Sequence, residues 1–205
     1  MAKAPKIGVT GGMGVGKTSV CRIFESFGIP IYNADIRAKA LMTENESVRR
    51  DIEAEFGWDA YHKDGSLNRT YLAKIVFDNP EKLEKLNSIV HPRVFDDYNS
   101  WVAGQTDAPY TIKEAALMFE TDSYKQLDEI IVVTCPINIR IERIMKRDHA
   151  KREDVLKRIN NQMTDKERLK RAHYIIRNDG SESLIHQSID IHQQILQKTK
   201  RLAYG

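Results

Sequence analysis

Short apolar runs alternate along this chain with stretches whose apolar residues recur every three or four positions, and the two periods predict different elements. Residues 6–9 form the first apolar run, a buried strand. Residues 17–27 follow with Val20, Ile23, Phe24 and Phe27 at helical spacing, and Gly28 stops that helix. Residues 29–32 read as a second short strand, with Pro30 at its start. Helical composition covers 34–42, and residues 46–56 place Val48, Ile52 and Phe56 four apart. Asp64-Gly65 marks a turn-rich loop over 57–66. Asn68 is positioned to cap a helix over 69–77. Asn79-Pro80 opens a long helix with Leu83, Leu86, Ile89, Val90, Val94, Tyr98 and Trp101 as its apolar positions, and His91-Pro92 predicts a kink or a break in it.

The second half returns to strands. Residues 110–113 predict a third, and Ile130-Ile131-Val132-Val133 within 128–134 is the clearest of all. Pro136 begins the turn into helices over 137–147 and 152–163. Residues 174–176 are a last strand, closed by Asn178-Asp179-Gly180, and a final helix covers 183–202. Short apolar strands alternating with helices describe a parallel sheet covered on both faces. The interval from Met42 to Tyr110 contains no strand pattern and is too long for a simple crossover, so it reads as a helical insertion. The expected fold is α/β: three layers, a five-stranded parallel sheet, a helical insertion over 41–107 and a helical lid over 141–164. The core then comprises 1–40, 108–140 and 165–205.

Composition narrows the class. The chain has 205 residues, 30% charged and 41% hydrophobic, a balance suited to one sizeable soluble core. Its mean hydropathy of -0.51 leans polar. No stretch approaches the roughly 18 apolar residues of a membrane helix, and the apolar run after the cationic start is too short for a signal peptide. A cytoplasmic protein without a membrane partner is expected. Cys21 and Cys135 lack metal spacing and sit among apolar residues, as core thiols do. The net charge of +3 can attract an anionic ligand but is too weak to argue for nucleic acid.

The chemistry begins at Gly11-Gly12-Met13-Gly14-Val15-Gly16-Lys17-Thr18, which fits G-x-x-x-x-G-K-[ST] at each fixed position. It follows a predicted strand and opens a predicted helix, as a P-loop must. Glycines let backbone N–H groups turn toward phosphate oxygens, and the helix adds its positive end. Lys17 is expected to reach the β- and γ-phosphates of ATP, and the Thr18 hydroxyl to ligate Mg²⁺. The motif implies nucleotide triphosphate binding but does not separate kinases from GTPases or motor-type ATPases. No Asn-Lys-x-Asp motif follows the fourth strand, which counts against a GTPase. That strand ends in Cys135-Pro136 rather than in an Mg²⁺-holding Asp, which counts against the large ATPase classes.

Two further features suggest an acceptor. Asp35 lies just beyond the second strand, where it could orient a hydroxyl and take its proton, or could merely cap the next helix. Arg140, Arg143 and Arg147, spaced three and four apart, share a helix face, and Arg152 and Arg158 follow. They read either as a lid clamping a migrating phosphoryl group or as a solvated face paired with Glu142, Glu153 and Asp154. A different small-metabolite kinase fits the fold and P-loop equally well; a nucleotide-binding regulator without acceptor chemistry is a further alternative, against which Asp35, Glu120 and the lid arginines argue together.

An ordered set of elements makes the chain resemble the dephospho-CoA kinase family from Ile7 to about Leu196. The P-loop resembles the family's T-G-G-x-G-S-G-K-S, with Val15 and Thr18 in place of serines. Asn33-Ala34-Asp35 is similar to its D-A-D, His91-Pro92 to its H-P, and Ala116-Leu117-Met118-Phe119-Glu120 to its P-L-L-F-E. The lid resemblance covers Arg143, Arg147, Arg152 to Val155, Arg158 and Gln162. Residues 172–180 resemble A-D-Y-V-I-x-N-x-G, with His173 in place of the acid. The resemblance implies a P-loop kinase fold and transfer of the γ-phosphoryl group of ATP to the ribose 3′-hydroxyl of dephospho-CoA. It implies Asp35 as base, Lys17, Arg143 and Arg147 around the phosphoryl group, and Thr18 on Mg²⁺. His91 and Glu120 go to the acceptor side, and Asn178 and Gly180 to the adenine of ATP. The alternative for His91 is a helix-kink residue. Trp58 and Trp101 could touch the pantetheine arm, but the core is the expected place for both. A monomer is slightly favoured.

Overall fold

The computed structural model describes the backbone of residues 4–77 and 79–204. Residues 1–3, the first half of the cationic start, lie outside the described residues. The strands are β1 (Lys6–Thr10), β2 (Ile31–Asn33), β3 (Thr111–Glu114), β4 (Glu129–Thr134) and β5 (Tyr174–Arg177). The helices are α1 (Lys17–Ser26), α2 (Ala34–Glu44), α3 (Glu46–Phe56), α4 (Arg69–Val76), α5 (Pro80–Ala103), α6 (Ile137–Asp148), α7 (Arg152–Asn160), α8 (Asp165–Leu169) and α9 (Leu184–Tyr204). Two compact units divide them. One holds the chain up to Tyr32 and from Gln105 onward, the other Asn33–Gly104.

In the first unit the five strands form one sheet in the order β2-β3-β1-β4-β5. The pairings that flank β1 are parallel, with Ile7 opposite Ile112 on β3 and opposite Glu129 on β4. Pairing of β4 with β5 is parallel as well, Ile131 facing Tyr174. Parallel strands need helical crossovers, and these cover the sheet faces, which is why the strand centres are largely apolar and buried. Ile7, Val9, Ile112, Ile131 and Val133 meet Val20 and Phe24 of α1 and Ile191 and Ile195 of α9 in one core. Cys21 and Cys135 are buried free thiols, as expected. Burial, reinforced by the neighbouring Glu114 carboxylate, pushes the Cys21 thiol well above its usual range, so it stays protonated and inert.

The helical hairpin of α6 and α7 has a small core of its own, Ile141, Ile144, Val155 and Ile159, against which Met13 packs. His149 turns the chain between the two helices in the left-handed region, φ 51°. The helix expected over 152–163 is shorter than predicted. It ends at Asn160, and a second helix, α8, starts at Asp165. Thr164 and Glu167 close a reciprocal capping box there, each side chain bonding the other residue's backbone N–H.

In the second unit asparagines start the helices. Asn33 Oδ1 accepts from Ile36 N–H, Asn45 from Val48, Asn68 from Tyr71 and Asn79 from Lys82. Leu41, Val48, Ile52, Phe56, Leu72, Val90 and Tyr98 are buried within it. Arg37 grips both carboxylate oxygens of Asp97, tying α2 to α5. Of the two alternatives at His91-Pro92, the break is excluded, because α5 runs on as one element to Ala103. Proline removes only one backbone bond, and burial of Val90, Val94 and Tyr98, four apart on either side of it, holds the helix together. Trp58 is not a core residue. It is 82% exposed, because the tight turn after Gly57 directs Ala60 and Tyr61 inward instead. Trp101 is partly exposed and stacks on Tyr98, ring centroids 6.3 Å apart. Among the described residues no helix is long and apolar enough to cross a membrane.

Candidate active site

Helix α1 is built to receive an anion. It begins at Gly16 in the left-handed region, φ 91°, with no side-chain cap and no acidic residue in its first turn. Helices α2, α3, α4, α5 and α8 all have their first N–H groups satisfied by an Asn or Thr side chain. Helix α1, like α6 and α7, has no such cap, and its positive end, which opens from the glycine-rich loop, can receive an anion. Gly16 has a second requirement. A Cβ there would lie 2.2 Å from Asn178 Nδ2, which donates to the Val15 carbonyl at 2.7 Å. Arg143 Nη2 in turn donates to the Asn178 carbonyl and Oδ1, at 3.2 and 3.3 Å. Asn178 therefore lies directly against the P-loop, with Arg143 beside it. Gly180 sits two residues on at φ 87°, and nothing lies within 4 Å of where its Cβ would be.

Within the loop, the Lys17 ammonium donates to the Gly11 carbonyl at 3.0 Å. Val15 buries its side chain in the core. The Met13 N–H donates to a distant side chain, Gln162 Oε1 at 2.8 Å, and the Val15 N–H to the Gly12 carbonyl at 3.4 Å.

The Thr18 hydroxyl donates to Glu114 Oε1 at 2.8 Å. Glu114 ends β3, is 4% exposed, and was missed by the sequence reading. That reading sought a metal-side acid at the end of the 130–134 strand and found Cys135-Pro136. The sheet order explains the omission: β1 has two neighbours, and the acid stands on β3, not β4. A strand boundary set one residue early, at 113, also excluded it. The pair fits Mg²⁺. With its proton committed to Glu114, the Thr18 oxygen presents its lone pairs elsewhere, and the carboxylate adds negative charge. Among the described residues no cluster of three or more His, Cys, Asp or Glu could hold a metal by itself.

The arginines divide. Arg140 is buried, 3% exposed, whereas Arg143 and Arg147 are exposed. The shared face expected for the three is thus split, because Arg140 is drawn under the loop by the Met13 carbonyl while the other two stay exposed. Arg147 is held by Asp148, its Nε at 2.7 Å, and that carboxylate raises the guanidinium pKa further. Arg158 reaches the same carboxylate at 3.5 Å. Glu120 Oε1 accepts from Arg168 Nη2 at 3.0 Å and from the Met163 N–H at 3.2 Å. In the helical unit, Asp35 lies exposed in the first turn of α2, and His91 is exposed on α5. The cap at α2 is Asn33, so the alternative of Asp35 as capping residue does not hold.

A parallel sheet of order 2-3-1-4-5, a P-loop opening α1 and a hydroxyl–carboxylate pair beside it define a P-loop kinase. Comparison with known proteins carries this further. The dephospho-CoA kinase family model matches residues 6–183. A dephospho-CoA kinase of Salinibacter ruber is 40% identical over 177 residues, covering 85% of this chain and 89% of its own. The crystal structure of TT1252 from Thermus thermophilus is 30% identical with a TM-score of 0.83, covering 94% of this chain and 98% of that one. The dephospho-CoA kinase from Campylobacter jejuni is 25% identical, TM-score 0.63, over 95% and 98%. The chain belongs to the dephospho-CoA kinase family, and so to the ATP-dependent phosphotransferases.

Proposed function

We propose that this chain transfers the γ-phosphoryl group of ATP to the ribose 3′-hydroxyl of dephospho-CoA, giving CoA and ADP, the last step of coenzyme A synthesis. The family match over residues 6–183 is the observation that carries this reading. The Thr18–Glu114 pair and the uncapped start of α1 support its nucleotide half.

In this reaction the hydroxyl oxygen bonds to the γ-phosphorus as the bond to the β,γ-bridging oxygen breaks. The electron pair passes to ADP, and the hydroxyl proton goes to the Asp35 carboxylate. Backbone N–H groups of residues 11–18 and the start of α1 hold the donor phosphates, Met13 excepted because its N–H is held by Gln162, while the Val15 N–H exchanges its long bond to Gly12 for phosphate. Lys17 exchanges the Gly11 carbonyl for phosphate oxygens. Arg143 and Arg147 neutralise charge on the migrating group. Thr18 and Glu114 would hold Mg²⁺, which neutralises charge on the β- and γ-phosphates when bound. His91 and Glu120 serve the acceptor side. Asn178 and Gly180 border the adenine.

The metal assignment makes its own prediction. Glu114→Gln keeps an acceptor for the Thr18 hydroxyl but removes the charge. The Mg²⁺ concentration for half-maximal velocity should rise about 10–100-fold. An unchanged Mg²⁺ requirement would remove Glu114 from the metal side. The function itself is tested by ADP release from ATP and Mg²⁺ with dephospho-CoA, nucleosides, nucleoside monophosphates or pantothenate as acceptor. Turnover with dephospho-CoA and a 3′-phosphorylated product is expected. Turnover with another acceptor alone keeps the kinase and overturns the substrate. Silence with every acceptor, despite ATP binding, points to a nucleotide-binding regulator.

A further inference from the structure

Both backbone polar groups of Met13, in the middle of the P-loop, are held by side chains from distant parts of the same unit. Its N–H donates to Gln162 Oε1 at 2.8 Å, and its carbonyl accepts from Arg140 Nε at 2.8 Å. Arg140 Nη1 continues to Asp165 Oδ2 at 2.9 Å. The other oxygen of Asp165 accepts from Arg168 Nη1 at 3.3 Å. Arg168, 1% exposed, passes through Nη2 to Glu120 Oε1 at 3.0 Å. Glu120 Oε1 also takes the N–H of Met163 at 3.2 Å, and Met163 is the chain neighbour of Gln162. The contacts therefore close on themselves.

We propose that this closed circuit sets the P-loop for nucleotide, with Arg140 and Asp165 as positioning residues for ATP binding. The inference rests on reading the loop as the ATP site. Two guanidinium groups and two carboxylates make the circuit neutral, so its buried charges are compensated only while all four are present. Apart from the neutral Met13–Gln162 bond, the hydrogen bonds of the circuit are charge-assisted, and each fixes the geometry of the next. The guanidinium of Arg140 lies hard against the loop, since a Cβ on Gly12 would sit 2.2 Å from its Nη2. With Nε and Nη1 committed and Nη2 against Gly12, Arg140 acts through the loop backbone rather than on a phosphate. The circuit passes through Gln162 and Met163, where the chain leaves the α6–α7 hairpin. A shift of that hairpin would therefore pull directly on the Met13 peptide.

The test is equilibrium ATP binding, by calorimetry with Mg²⁺, to the full chain and to Arg140→Met, Asp165→Asn and the double variant. Loss of the charge-assisted contact at Met13 should weaken ATP binding about tenfold in Arg140→Met and about threefold in Asp165→Asn. The double variant should bind no more weakly than Arg140→Met, because both changes act through one contact. The KM for dephospho-CoA should not move. If Arg140→Met does not fold, Asp165→Asn, which keeps the side-chain shape, carries the test. Folded variants that melt earlier but bind ATP as the parent does would make the circuit merely structural and overturn the inference. A parent chain that binds no ATP overturns the reading of the loop along with it.

Discussion

Asp35→Asn is expected to lower kcat by about 10²–10⁴-fold while leaving ATP affinity unchanged, the span a general base contributes. The substitution keeps the shape of the side chain and removes only its ability to take a proton. It should not disturb α2, because the N-cap there is Asn33, bonded to the Ile36 N–H at 2.9 Å. Asp35 itself is exposed in the first turn of that helix. Single-turnover kinetics with ATP and dephospho-CoA, alongside ATP titration, separate the two quantities. Turnover within threefold of the parent would leave the hydroxyl proton to another acceptor and remove Asp35 from the chemistry.

Lys17→Met should cost about 10²–10³-fold in kcat, the loss seen when one preorganised donor to developing charge is removed. Methionine is as good a helix former as lysine and has similar length, so the first turn of α1 should persist. The Lys17 ammonium donates to the Gly11 carbonyl, so its removal also frees that carbonyl, and a modest loss of ATP affinity is expected beside the larger loss of turnover. Circular dichroism would verify the fold. A variant with parental kcat and only weaker ATP binding would make Lys17 a ground-state contact and shift the charge compensation to Arg143 and Arg147.

Much of the fold was legible because its signals are local. Short apolar runs bounded by glycine and proline marked the strands. Asn68 and Asn79 announced the helices they cap, and the observed bonds to Tyr71 and Lys82 are those that the capping rule requires. The P-loop is local too, eight consecutive residues between a strand and a helix. The start of α8 was equally readable in Thr164-Asp165-Lys166-Glu167, a capping-box pattern, but the apolar period of the preceding helix masked it. Where the reading failed, the deciding fact was a neighbour distant in sequence. Glu114 sits 96 residues from Thr18 and meets it only because β3 pairs with β1. Arg140 has the spacing of Arg143 and Arg147 but lies beneath Met13, 127 residues away.

The sequence alone determined the phosphate loop, the alternation of strands and helices, and the helical insertion, since each follows from side-chain period or backbone freedom over a few residues. Which acid stands beside Thr18 and which arginine is buried were decided by the tertiary structure. Strand order and burial bring charged groups from far-apart segments within hydrogen-bonding distance, and no local pattern encodes that.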